Sequence, residues 1–256
     1  MRNRLIVLAS LALMALPACS IPTLEVQAGY AHLSLDGDIG YSNGNTVAVE
    51  QDFESAFGLG DSQGSPYGRA QIDFGVPVLT VSAFSFEDKG RGVLLSDFGN
   101  IPVLAGGVPV QSELDMMNAK VSLAFEIGIG PVSISPGLAI DYFDLQIDVT
   151  DASLLSIESE QVDVSGPLPL AFLRADVDLG IVSAFAEAGY MSADIDDVDG
   201  ELLDIEAQLV LHPAPLVELF VGYRYWNIAL DGIIDNNTID TDIKVSGLIF
   251  GGGIRF

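Results

Sequence analysis

Two histidines and a single cysteine set narrow bounds on the side-chain chemistry open to this chain of 256 residues. His32 and Ser34 stand two residues apart, a spacing that projects both to one side of a strand. There an imidazole could take the proton of a hydroxyl, the opening step of nucleophilic hydrolysis. Spacing assigns them no carboxylate partner. His212 stands beside Pro213-Ala214-Pro215 and has no partner visible in the sequence, so metal ligation by the two histidines is not expected. Cys19, being alone, permits neither an intrachain disulfide nor a cysteine-based metal site. Gly251-Gly252-Gly253 lies inside an alternating apolar segment, where small residues let a sheet wall bend or close rather than cradle phosphate.

Acidic chemistry is far more abundant. Asp194, Asp196, Asp197, Asp199 and Glu201 form the densest cluster, and hard cations such as Ca²⁺ take carboxylate oxygens. Ile195 breaks the spacing of an EF-hand loop, and the alternative is a solvated acidic loop. No other cofactor is expected. With 10 basic against 36 acidic residues the formal charge is −26, which repels nucleic acid and excludes it as a partner. A mean hydropathy of +0.42 beside a pI near 4.1 is difficult to reconcile with a soluble protein.

The elements that must position these groups begin after an address segment. Arg2 and Arg4, the apolar run Leu5 to Leu16, and then Pro17, Ala18, Cys19 and Ser20 predict a signal peptide over residues 1–18. Residues 19–256 are then a single domain. Leu16-Pro17-Ala18-Cys19 resembles the lipobox of bacterial lipoproteins, although the proline departs from it. Two outcomes stand side by side: lipidation of Cys19, or ordinary cleavage after Ala18 or Ser20. Beyond Leu16 no apolar run approaches the roughly 18 residues of a spanning helix. A closed barrel is the remaining way to satisfy backbone hydrogen bonds in lipid.

Its signature is strongest at the end of the chain. Leu248, Phe250, Gly252, Ile254 and Phe256 alternate with Gly247, Ile249, Gly251, Gly253 and Arg255. This resembles the bacterial outer-membrane β-barrel proteins, whose last strand ends on phenylalanine. The likeness extends more weakly over residues 24–256, including Gly222-Tyr223-Arg224-Tyr225-Trp226, and it implies that Phe256 is an assembly signal read by the barrel-assembly machinery. An acidic, glycine-rich first loop, Asp52-Phe53-Glu54-Ser55-Ala56-Phe57-Gly58-Leu59-Gly60, is similar to that of uncharacterised small barrels and implies no activity. His32-Leu33-Ser34 has the spacing of the His-x-Ser pair in outer-membrane lipid A deacylases, but lies in the first strand rather than near the chain end.

The same period of two recurs at Met117, Ala119, Val121, Leu123, Phe125 and Ile127, and at Val217, Leu219, Val221, Tyr223 and Tyr225. Strands are predicted near 24–35, 67–75, 77–86, 113–128, 131–148, 167–179, 182–194, 203–212, 216–230 and 241–256. These ten make an all-β, closed antiparallel transmembrane barrel, with eight or twelve strands as alternatives. Connections alternate between short turns at 75–77, 128–131, 180–181 and 213–215 and long ones at 37–66, 87–112, 149–166, 195–202 and 231–240. Short turns belong to the periplasm and long loops to the outside. Tyr30, Tyr142, Tyr190, Tyr223 and Tyr225 gather toward one rim and Phe74, Phe125 and Phe256 toward the other, as interfacial aromatics should. Leu33 and Leu35 break the first strand's parity, which predicts a bulge near Ala31 or an exit from the membrane there.

With apolar rows facing lipid, the lumen receives Glu25, Arg69, Asp73, Lys120, Glu126, Asp141, Arg174, Asp176, Asp178, Glu187, Glu206, Glu218, Arg224 and Arg255. Buried charges must pair or be hydrated. The expected function is therefore a plugged barrel with a structural or surface-interaction role, in contact with outer-membrane lipid. A narrow cation-favouring channel is the runner-up, and a lipid A deacylase a distant third; an enzyme is not expected.

Overall fold

Alternation along extended backbone closes this chain on itself. The computed structural model describes residues 22–43, 47–103, 106–153, 158–195, 198–234 and 237–256; the segment 1–18 expected to be a signal peptide, Cys19, Asp196 and Asp197 lie outside them. Among the described residues ten long strands form one antiparallel ring. They are β1 (Thr23–Asn43), β3 (Gln63–Asp73), β4 (Pro77–Leu94), β5 (Val108–Phe125), β7 (Val132–Asp151), β8 (Ser159–Asp178), β9 (Val182–Ile195), β10 (Val198–Ala214), β11 (Val217–Ile234) and β12 (Asn237–Arg255). Two short strands accompany them: β2 (Gln51–Asp52) on β1, and β6 (Ile127–Ile129) on β7. Sequence neighbours are spatial neighbours throughout, and β12 pairs with β1 from Glu25↔Arg255 to Asn43↔Asn237. The ring closes at the level where it meets lipid, so no sheet edge among the described residues there strands unpaired groups. Phe256 completes the seam, exchanging backbone hydrogen bonds of 3.0 and 2.8 Å with Leu24. At this seam a Cβ on Gly251 would lie 2.3 Å from the Ala28 carbonyl oxygen, so glycine is what lets the wall close there.

A spanning strand needs roughly 9–11 residues, yet β1 has 21 and β7 and β8 have 20 each. The surplus projects beyond the membrane, and the side-chain pattern inverts with it. Along β7, Ile134, Leu138 and Ile140 face outward and Ser133, Ser135 and Asp141 inward; farther along, Asp144, Gln146 and Asp148 face outward and Phe143, Leu145, Ile147 and Val149 inward. β5 makes the same change, from Val121, Leu123 and Phe125 outside to Glu113 and Asp115 outside with Leu114 and Met116 within. The barrel thus has two storeys. The lower presents an apolar belt, with Leu138 72% and Val121 45% exposed. Leaving such side chains in water would forgo about 1.5–3 kcal/mol each, so the belt is a lipid surface. The upper storey is polar outside and has an apolar core.

This inversion decides between the two readings of the parity break in the first strand: the β1 register against β3 and β12 runs without a bulge near Ala31, and Leu33 and Leu35 point into the upper core where the strand leaves the membrane. It also corrects one expectation about the connections. The connections at 195–202 and 231–240 are not long loops, because β9 continues to Ile195, β10 begins at Val198, β11 reaches Ile234 and β12 starts at Asn237. The other long connections are also shortened by strand at both ends.

Candidate functional site in the lumen

Inward positions of five strands bring a charged girdle together at the middle of the barrel. Arg69 on β3 lies 2.7 Å from Glu187 on β9 and 3.1 Å from Glu206 on β10. Lys120 on β5 reaches Glu187 at 3.0 Å and Asp204 at 2.8 Å. Arg224 on β11 joins Asp204 at 3.0 Å and Glu206 at 2.6 Å. Each of these cations bridges two of the acids, so three positive and three negative groups form a closed cycle, which Arg174 joins from outside at 3.7 Å from Glu187. Neutral side chains extend the network: Tyr67 donates to Glu206 (2.7 Å), Gln208 donates to Tyr67 (2.9 Å), and Arg224 donates to Asn118 (3.1 Å), which in turn donates to Asp141. Rings cover the cations: Arg69 and Arg174 lie 4.4 and 4.2 Å from the centre of Phe185, and Arg224 lies 4.7 Å from that of Phe84. Desolvated cations gain from such faces.

Above the girdle the first loop descends into the upper storey. Phe53–Phe57 forms one π-helical turn, capped by Asp52, whose carboxylate accepts the Ser55 N–H at 2.8 Å. Phe53 and Phe57 are wholly buried; Phe57 meets Phe98 edge to face at 5.2 Å. The turn is laced to the wall: Asp88 accepts from the Gly60 N–H at 2.8 Å, and Gln51 accepts from Leu95 and Ser96 at 2.9 and 3.2 Å. It approaches β4 so closely that a Cβ on Gly92 would stand 2.1 Å from the Ala56 carbonyl oxygen. The second loop adds Phe98 and Ile101, both buried, held by Asn100 N–H donating to Glu160 at 2.6 Å. Two closures are therefore stacked, one ionic and one apolar.

Below the girdle the lumen opens toward the short turns as a cavity of about 420 Å³. Asp73, Glu126 and Asp178 lie here at the mouth rather than in the network; Asp178 is exposed and accepts the Gly180 N–H at 2.7 Å. Arg255 pairs with Glu25 at 3.1 Å on the same rim, and Arg174 with Asp176 at 2.8 Å a level higher. His212, without a partner in the sequence reading, has two in the fold: Ser183 at 3.0 Å and Glu218 at 3.5 Å. Asp204 is not among the expected lumen residues although it shares the parity of Glu206 two residues on. Asp88 lies beyond the strand predicted over 77–86 and is likewise absent from them.

His32 and Ser34 lie on the outer wall, where the Ser34 hydroxyl donates to the Ser246 carbonyl at 3.3 Å. Asp194, Asp199 and Glu201 line a depression at the outer rim with Asp231, Asp240 and Asp242. Among the described residues no three His, Cys, Asp or Glu side chains gather closely enough to hold a metal. The rim is strongly negative: Asp231 faces Asp240 across β11 and β12, and Asp240 holds the Glu50 carboxyl above its ordinary range.

No protein family and no curated protein matches this sequence. Solved structures do. The outer-membrane protease OmpT of Escherichia coli superposes with a TM-score of 0.59 over 91% of this chain and 96% of its own, at 8% identity. Ail of Yersinia pestis aligns over 92% and 99% at 11% identity and a TM-score of 0.37, and Neisserial surface protein A over 91% and 97% at 15% and 0.37. The chain has the fold of a bacterial outer-membrane β-barrel, and its apolar belt suits that membrane.

Proposed function

We propose that this protein is a non-conducting outer-membrane barrel that carries an acidic surface outward, with a structural or surface-interaction role. The observation that carries the reading is the complete burial of Arg224, Asp204 and Glu206 at one level and of Phe53, Phe57 and Phe98 above them. An ion would have to break a compensated buried network, which costs several kcal/mol, and then displace packed rings. The outward acids of the projecting strands, among them Glu113, Asp115 and Asp148, make a surface that contacts other envelope components from outside. Phe256 serves as the signal read by the assembly machinery during insertion into outer-membrane lipid.

Planar-bilayer recording of the purified protein tests the closure. No sustained conductance steps are expected. Cation-preferring steps that shrink when Glu126 or Glu187 is replaced by Gln would put the small channel in its place.

A further inference from the structure

Ser183, His212 and Glu218 stand on three adjacent strands and face the cavity at the turn end of the lumen. The Ser183 hydroxyl is 3.0 Å from His212 Nε2. His212 Nδ1 is 3.5 Å from Glu218 Oε1, and the other carboxylate oxygen of Glu218 accepts from the Gln27 side-chain amide at 3.4 Å. Glu218 is 1% exposed, whereas His212 and Ser183 line the cavity. The backbone is arranged for this contact. Leu211 faces Leu219 and Ala214 faces Val217, so His212 and Pro213 together oppose the one residue Glu218. Such a bulge re-aims a side chain, and Pro213 costs no ladder hydrogen bond there.

A hydroxyl against one imidazole nitrogen and a buried carboxylate against the other is the arrangement that activates serine. We propose that Ser183, His212 and Glu218 form a serine hydrolase site at the periplasmic end of the barrel, acting on small carboxylic esters. His212 Nε2 takes the Ser183 proton as Oγ bonds to the ester carbonyl carbon. The tetrahedral adduct collapses, the C–O bond to the alcohol breaks, and the alcohol leaves with that proton. Water then attacks the acyl-serine, giving a proton to His212 that returns to Ser183 Oγ as the acid departs. Glu218 acts as a positioning residue, its carboxylate 3.5 Å from Nδ1 favouring the transient imidazolium. The cavity of about 420 Å³ limits the substrate to a small ester. Its wall carries more acids, Glu25, Asp73, Glu126 and Asp176, than bases, Arg174 and Arg255, so a neutral or cationic ester is preferred to an anionic one.

The test is covalent labelling of the full barrel, refolded in detergent, with a fluorophosphonate, the modified residue being located by mass spectrometry. Folding of every variant is checked by its heat-dependent gel mobility. A single adduct on Ser183 is expected, absent in Ser183→Ala and slowed at least about tenfold in His212→Asn, since a positioned general base contributes about 10²–10⁴-fold. Glu218→Gln is expected to leave Ser183 reactive but to move the midpoint of the labelling rate against pH downward. Hydrolysis of 4-nitrophenyl acetate should follow the same order. No adduct on Ser183 in folded protein, or labelling at the same rate in His212→Asn, would overturn the site. Neither result bears on whether the lumen conducts.

Discussion

Replacing Arg224 by Met is expected to destabilise the folded barrel by about 3–5 kcal/mol, the cost of leaving buried charges without their partner. Among the described residues Arg224 is the only cation touching both Asp204 and Glu206, and all three are fully buried. Methionine fills much of the same volume, so the loss is chiefly electrostatic. Arg69 and Lys120 would still hold one contact to Glu206 and Asp204 respectively, which keeps the loss below that of two isolated carboxylates. Urea titration of protein refolded into vesicles measures it. Adding Asp204→Asn and Glu206→Gln to the same chain should recover most of the loss, since the stranded charges are then gone. An unchanged midpoint in Arg224→Met, within about 0.5 kcal/mol, would mean that the girdle is hydrated and does not hold the barrel.

The second large effect is expected at Gly92. A valine there would drive its Cβ to 2.1 Å from the Ala56 carbonyl oxygen, a backbone atom that cannot swing aside. The π-helical turn must then leave the upper storey, exposing Phe53, Phe57 and Leu59. At about 1.5–3 kcal/mol for each large apolar side chain, several kcal/mol of burial are lost locally while the hydrogen-bonded wall survives. Limited proteolysis should therefore cut within residues 52–60 of Gly92→Val and spare the parent protein. Conductance should remain absent, because the ionic closure below is untouched. A variant as resistant as the parent would show that the loop does not depend on this approach to β4.

The lower storey was legible in the sequence because lipid and an enclosed polar interior impose opposite demands on alternate residues. Val121 and Ser122, or Val221 and Gly222, separate cleanly on that basis. Outside the membrane the demands reverse, since water now lies beyond the wall and packed side chains within. Leu33 and Leu35 then look like an error of parity, and Asp231 and Asp240 look like a loop, although all four continue their strands. Most girdle members could be read from parity; which cation meets which acid could not, because partners come from strands as far apart as Arg69 and Glu206. The plug had a weak signal in Phe53 and Phe57, four residues apart behind an aspartate that caps them. Glu218 could be read as a lumen residue from parity, but its meeting with Ser183 and His212 could not, because the bulge at His212-Pro213 shifts the register that alternation assumes.

The central claim is that inward residues of this barrel meet neither lipid nor water where its two storeys join. Trp226, the single tryptophan of the chain, lies there, fully buried, with its ring centre 6.0 Å from that of Phe143. Its neighbour Tyr225 faces outward by strand alternation. Fluorescence of the unmodified protein in vesicles should be quenched weakly both by acrylamide and by lipids with brominated chains, whereas Trp226→Phe combined with Tyr225→Trp should respond to the brominated lipid. Strong lipid quenching of native Trp226 would reverse the facing of the strands, and strong acrylamide quenching would show an open, water-filled lumen.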